Sequence, residues 1–416
     1  MISCGIDFGT SNSSIAIATD QNVQLVETES GQNTLPSAMF FLRKDNTAYF
    51  GREAMSLFLG KTPGRLMRSL KRVLGTPVMR QGTMVNGEVM KFDQIIASFL
   101  QVLKQKAELD AGEAIESVTM GRPVHFVDNN PGADVRAEEE LKGIANRLGF
   151  KNVGFQFEPI AAAFAHEQKI AGEKLALVVD LGGGTSDFTV IKLSNKYLSK
   201  ADRNEDILAN TGVRIGGNDF DKDLSLAAIM PIVGYRSTYG EKNLEVPLYH
   251  YHDLSEWSKV NSLYTVRIMS QVKQLLFQSH DKQKYGRLLQ ILEEETGHSL
   301  LAATEEAKIA LTESELFLPS FDFLETGLTS EVHRTTFNDA INGRIQKISA
   351  TSLECIQNAG ITNDQIELVI LTGGTTEVPK VQLEFRNLFP NATISGENKL
   401  SSVGLGLAFD SRNKFS

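Results

Sequence analysis

Two stretches of the chain repeat one chemical arrangement. Near the N-terminus it reads Gly5-Ile6-Asp7-Phe8-Gly9-Thr10-Ser11, and far downstream Val178-Val179-Asp180-Leu181-Gly182-Gly183-Gly184-Thr185-Ser186-Asp187. In each, an apolar strand ends in aspartate, one apolar residue follows, then glycine and a hydroxyl residue. A second apolar strand comes next, at 14–18 and at 188–193. Glycine lets backbone N–H groups approach an anion closely, and such turn amides form concavities that hold phosphate. An aspartate at the mouth suits a hard cation with its waters. Two copies point to two half-sites gripping one metal–polyphosphate from opposite sides.

The elements that would position these residues alternate. Residues 2–8, 14–18 and 23–27 predict a three-strand meander, and 37–42 a further strand. Phe92, Ile95, Ile96, Phe99, Leu100 and Leu103 fall at helical spacing and predict a helix over 92–109. A strand is expected at 117–120, a helix at 133–148 stopped by Gly149, and an apolar helix at 160–166 opened by Pro159. The second copy begins at Lys174 and later predicts one long helix over 336–358, a strand over 367–371 and a helix after Pro379. Both halves thus run hairpin, long helix, strand with glycine turn, helix, as an internal duplication would. The boundary is expected at 168–173. The expected division is 1–170, completed by a C-terminal helix at 400–416, and 171–399, with an insertion over about 231–330. Within it, 231–300 reads as the less regular and aromatic part, with Tyr249, Tyr251 and Trp257.

The chain has 416 residues, long enough for two sizeable cores, and a net charge of −9 with no basic stripe, which argues against a nucleic-acid surface. Its two cysteines, Cys4 and Cys355, belong to no Cys-x-x-Cys pair, so a reducing cytoplasm is expected and a disulfide framework is not. No signal peptide and no bilayer-spanning run are read. Leu59-Gly60-Lys61-Thr62 mimics the end of a P-loop, but Met55 stands where its first glycine should be. His250-Tyr251-His252 lacks further ligands at a zinc-binding spacing.

Six motifs in order resemble the nucleotide-binding domain of the Hsp70 family, within the actin-like ATPase superfamily. They are Gly5-Ile6-Asp7-Phe8-Gly9-Thr10-Ser11-Asn12-Ser13, Leu70-Lys71-Arg72-Val73-Leu74-Gly75, Glu158-Pro159-Ile160-Ala161-Ala162-Ala163, Asp180 through Asp187 as quoted, Ile215-Gly216-Gly217-Asn218-Asp219-Phe220-Asp221, and Leu371-Thr372-Gly373-Gly374-Thr375. Gly121-Arg122-Pro123 and Arg214-Ile215-Gly216-Gly217 are similar to the YegD-type branch, relatives without a separate peptide-binding domain. The sequence given ends at Phe415-Ser416, and no such domain is expected. The resemblance implies an α/β, duplicated actin-like/ribonuclease-H-like ATPase fold with two lobes around a nucleotide cleft.

It also implies roles. Asp7, Asp180 and Asp187 would hold Mg²⁺, mainly through its waters. Amides at Gly9, Thr10 and Ser11 would cradle the β-phosphate, and those at Gly183, Gly184 and Thr185 the γ-phosphate, Thr185 adding its hydroxyl; Asn12 and Gly182 are expected beside them as nucleotide-binding residues. Lys71 and Glu158 form the expected hydrolytic pair, one offsetting charge and one orienting water, with Asp180 and Thr185 beside them. Taken alone, Lys71 in the run Arg65, Arg68, Lys71, Arg72 would read as a solvated helix face. Gly216, Gly217, Gly373, Gly374 and Thr375 occupy the remaining nucleotide turns, and Glu305, Lys308 and Thr312 one helical face toward the nucleoside. Ile309 and Glu377 stand where two arginines usually sandwich adenine, which predicts weaker ATP and ADP binding.

The expected activity is slow Mg²⁺-dependent ATP hydrolysis in a monomeric, chaperone-related nucleotide switch, with a protein client or co-chaperone as partner and neither nucleic acid nor membrane. Alternatives of other classes are an actin-like filament former, a small-molecule kinase of the same superfamily, and a binding module that no longer hydrolyses.

Overall fold

The computed structural model describes residues 2–45, 47–60, 62–85, 87–127, 130–167, 170–197, 203–395 and 402–415. Lys61 of the P-loop mimic, Gln168 and Lys169 of the expected boundary, and 400, 401 and 416 of the expected closing helix lie outside them.

Two five-membered strand paths share one topology. The first runs Val23–Leu25, Asn12–Ala18, Ser3–Asp7, Ser117–Arg122, Asn152–Phe157. The second runs Ile207–Val213, Ser186–Ser194, Glu173–Leu181, Leu368–Thr372, Thr393–Ser395. In each, three antiparallel strands form a meander and two parallel strands extend it on the other side. Parallel neighbours need a crossover, and helices supply it. Phe92–Ala111 and Pro131–Arg147 serve the first sheet, and Asn342–Asn358 and Pro379–Leu388 the second. The duplication expected from the sequence is therefore present in the order and direction of the strands. The 92–109 periodicity is borne out by a helix that buries Ile95, Ile96, Phe99, Leu100 and Leu103.

The helix that closes each repeat packs on the other repeat's sheet. Glu158–Glu167 lies against Glu173–Leu181 and Ser186–Ser194, with Ile160 and Phe164 in one core with Val178, Ile191 and Leu193. Ser402–Phe415 lies against Ser3–Asp7, Asn12–Ala18 and Ser117–Arg122, and the two helices pack on each other. They cross almost backbone to backbone. A Cβ at Gly406 would fall 1.6 Å from the Ala161 carbonyl oxygen, so only glycine fits there.

The chain divides into two compact units. One comprises Met1–Gly216, Ile348–Thr376 and Val381–Ser416 and contains both sheets; the other comprises Gly217–Lys347 and Glu377–Lys380. The polar segment at 170–173 lies inside the first unit, where the preceding helix is already packed on the strand that follows.

Two expectations need correction. The stretch 231–300 is largely helical, with Tyr249–Leu254, Val266–Gln278, Lys282–Glu293 and the start of Gly297–Ala310. Thr265 and Asp281 cap two of these helices by accepting from the Ile268 and Lys284 amides. Its aromatics divide: Tyr251 is fully buried, Trp257 packs near His298 and Tyr249 is exposed. The helix expected over 336–358 is two, Arg334–Ala340 and Asn342–Asn358, broken at Ile341, where the weak helix formers Asn342 and Gly343 follow.

Candidate functional site

Asp7 ends the strand Ser3–Asp7, and Asp180 lies near the end of Glu173–Leu181. Asp187 sits directly opposite Asp180 in the hairpin, whereas the corresponding partner of Asp7 is Ser14. Glu158 is the first residue of its helix and follows directly on the strand Asn152–Phe157. Lys71 lies in the 3-10 turn Leu70–Val73, after Ser69, which is held at φ 58°. A serine in the left-handed region costs conformational energy, and here that strain sits two residues before a buried cation. Arg65 and Arg68 belong to a strand and are half-buried, and Arg72 is exposed, so of that run Lys71 is the buried one.

Lys71 Nζ forms an ion pair and hydrogen bond with Glu158 Oε1, both side chains buried. Asp180 and Asp187 are buried around them. Burial pushes the Asp7 carboxyl up to about 7, helped by Glu158 and opposed by Lys71. Burial likewise raises Asp187 to about 7, with Glu158 adding and the Val124 amide and Thr185 hydroxyl opposing. Asp180 is raised well above the carboxylate range by burial and then by Glu158, Asp187 and Asp7. Burial alone would lower Lys71, but Glu158, Asp7 and Asp180 outweigh it and hold the ammonium charged. Among the described residues, one cation, Lys71, faces the four carboxyl groups of Asp7, Glu158, Asp180 and Asp187.

This charge imbalance fits a divalent cation. Among the described residues, no three His, Cys, Asp or Glu side chains converge as direct metal ligands. Carboxylate oxygens are donors of the kind that suits a hard, hydrated cation such as Mg²⁺.

The imbalance also sets a pH dependence. Carboxylates raised in the folded state hold protons that the unfolded chain has released, so stability falls as pH rises between 3.8 and about 7. We predict that the urea midpoint of nucleotide-free protein drops from about pH 5 to about pH 8, and that Asp187→Asn removes part of the slope. A midpoint that rises over this window would contradict the assignment.

The two glycine turns meet. A Cβ built on Gly184 would lie 3.3 Å from Thr10 Oγ1. The first turn is braced by Ser37, whose hydroxyl donates to the Gly9 carbonyl at 2.7 Å, and by Ser13, whose Oγ accepts from the Gly9 amide at 3.2 Å. In the second, the Gly182 amide donates to the Thr185 carbonyl at 2.9 Å, and Thr375 Oγ1 donates to the Gly182 carbonyl at 2.8 Å. Gly216 comes so near that a Cβ would fall 2.5 Å from the Gly184 nitrogen, and Gly373, at φ 82°, lies against Asp180. Gly374 opens the short turn Gly374–Glu377. The first unit therefore assembles Asp7, Thr10, Lys71, Glu158, Asp180, Gly182, Gly184, Asp187, Gly216, Gly373 and Thr375. Ser11, Asn12, Gly183 and Thr185 adjoin them in the same two turns.

Gly217, Glu305, Lys308 and Thr312 belong to the second unit. Lys308 pairs with the buried Asp221 at 2.8 Å. Glu305 shares the helix Gly297–Ala310 with Lys308, but Thr312 lies past its end and donates back to the Ile309 carbonyl at 2.7 Å. The helical face expected to continue to Thr312 stops short of it. Ile309 is 59% exposed, and Glu377 is exposed. His250 is fully buried, which leaves its imidazole unsuited to an open zinc site.

Sequence reasoning missed the Val124 amide, which donates to Asp187 Oδ1 at 3.0 Å. A backbone donor leaves no residue-type signal; only the neighbouring Gly121-Arg122-Pro123 motif marked the place.

A family model described as Hsp70 protein matches residues 3–230 and 277–412. The unmatched stretch, 231–276, lies within the segment expected as an insertion and is shorter than it. Among the described residues, no helix is long and apolar enough to cross a membrane.

Proposed function

The chain belongs to the Hsp70 family, and from that premise we propose that it binds ATP with Mg²⁺ and hydrolyses it slowly, as a cytoplasmic, chaperone-related nucleotide switch. The observation that carries this reading is the buried Lys71–Glu158 pair set among three aspartates beside two touching glycine turns. Phosphoryl transfer to water asks for charge neutralisation and a placed nucleophile more than for covalent chemistry. Lys71 supplies a fixed positive charge where charge builds on the transferred phosphoryl group. Glu158 offers a carboxylate oxygen that can accept a hydrogen bond from the attacking water and orient it. Asp7, Asp180 and Asp187 would receive the hydrated Mg²⁺, which supplies electrostatic stabilisation of the phosphates when bound. Glycine turn amides would bind phosphate oxygens. The YegD-type likeness and the protein client remain part of the same proposal.

Ile309 and Glu377, in place of adenine-stacking arginines, set the expected affinity. Loss of guanidinium stacking removes roughly 0.5–2 kcal/mol, a weakening of about 2- to 30-fold. Calorimetry with ATP and ADP should therefore give an affinity short of the low-nanomolar range, tightened by Ile309→Arg. Low-nanomolar binding by the unaltered protein would overturn this. Phosphate release that requires Mg²⁺ would support the hydrolytic reading, and its absence would favour a binding module.

A further inference from the structure

Arg122 ends the strand Ser117–Arg122, and its guanidinium is largely enclosed rather than solvated. One nitrogen, Nη1, bonds Glu138 on the helix Pro131–Arg147. The guanidinium stands 5.0 Å from the ring centre of Phe157 and 5.5 Å from that of Phe126. Its Nε donates to the Pro123 carbonyl at 3.3 Å. That oxygen belongs to the same peptide group as the Val124 N–H, which donates to Asp187 at 3.0 Å. A single planar unit thus carries an arginine on its oxygen and a site aspartate on its N–H. The unit is rigid, because rotation about the C–N bond is strongly resisted. Hydrogen bonds at its two ends polarise each other, so a cation on the oxygen strengthens the N–H as a donor. On the other flank, Phe157 is the register partner of Arg122 and directly precedes Glu158.

We propose that Arg122 is a positioning residue for the phosphate site. It holds the Pro123–Val124 peptide so that the N–H engages Asp187, and it braces Phe157 so that Glu158 keeps its direction. It touches no reacting atom. An arginine suits the task because its planar fork serves several acceptors at fixed angles while its face stacks on aromatic rings, which lysine cannot reproduce. The inference rests on the ATPase reading of the site for its effect on turnover, but the Val124–Asp187 contact can be measured without it.

The test compares Arg122→Ala, Arg122→Lys and Glu138→Gln by amide hydrogen exchange at Val124, steady-state ATP turnover and thermal melting. For Arg122→Ala, exchange at Val124 should quicken about tenfold or more and kcat fall about tenfold, the scale of one hydrogen bond to a charged group, with KM for ATP nearly unchanged. Arg122→Lys should show the same changes in smaller measure, and it stands in if the alanine variant does not fold. Glu138→Gln removes the ion pair but leaves the contact to Pro123; it should lower the melting temperature with Val124 exchange and kcat near those of the unaltered protein. A merely structural clamp would give the opposite pattern, with melting lowered by every variant while Val124 exchange and kcat hold. That outcome would overturn the proposal. If the unaltered protein turns over no ATP, the ATPase reading fails, and Val124 exchange alone decides whether Arg122 positions Asp187.

Discussion

Replacing Lys71 by methionine should reduce phosphate release by about 10²- to 10³-fold, the loss seen when one preorganised charge-stabilising group is removed. The same substitution should reduce stability. Glu158 is 7% exposed, and Lys71 is the cation it pairs with. Removing one partner of a buried ion pair costs roughly 3–5 kcal/mol, because the remaining charge is left uncompensated. Asp7, Asp180 and Asp187 add to that burden, since each is already raised by burial and by Glu158. Part of the loss can be relieved by protonation, so the destabilisation should be larger above neutral pH than below it. Adding Glu158→Gln should return stability without returning activity, because it removes together the orphaned charge and the carboxylate proposed to orient the water. Urea denaturation and phosphate-release assays on the single and double variants check both arms. A Lys71→Met protein with undiminished turnover would remove Lys71 from the mechanism.

Gly406→Ala should cost about 4 kcal/mol or more and leave little folded protein, an effect at the extreme of single substitutions. The added Cβ would meet the backbone oxygen of Ala161 at 1.6 Å and the carbonyl carbon at 2.3 Å, neither of which can rotate aside. Only separation of the helices Ser402–Phe415 and Glu158–Glu167 would relieve the clash. Since the second of these begins with Glu158, any surviving folded fraction should also turn over ATP poorly. Circular dichroism and urea titration report the first effect. A variant with an unchanged midpoint would show that the two helices do not approach as described.

Much of the candidate site's clustering was legible because aspartate, glycine and hydroxyl residues in that order have few purposes other than the phosphate binding proposed for them. Aspartate, an apolar residue and glycine at the mouth of a hairpin occur twice, and both copies fold into matching sheets. Glu158 was reached through the resemblance of Glu158-Pro159-Ile160-Ala161-Ala162-Ala163, with Pro159 marking a helix start behind it; the strand Asn152–Phe157 that leads into it was not read. Lys71 could not be told from its basic neighbours by pattern; tertiary packing buries it and leaves Arg72 in solvent. Thr312 misled because periodicity continues in a sequence after the helix has ended. The helices within 231–300 have start signals in Thr265 and Asp281, but aromatic composition alone carries no helical period. Asp187's partner was unreadable in principle, since the donor is the Val124 backbone and its aim depends on how the strand end is held.

Phosphate release by the unaltered protein and by Glu158→Gln, each with and without Mg²⁺ and alongside calorimetric ATP binding, decides whether this site hydrolyses ATP. Slow, Mg²⁺-dependent release is expected from the unaltered protein. Glu158→Gln should keep ATP affinity within a few-fold and lower turnover by about 10²-fold, the usual contribution of a positioned acid–base group. Equal release from both proteins would remove Glu158 from hydrolysis, and ATP binding lost together with the carboxylate would make it a binding residue instead.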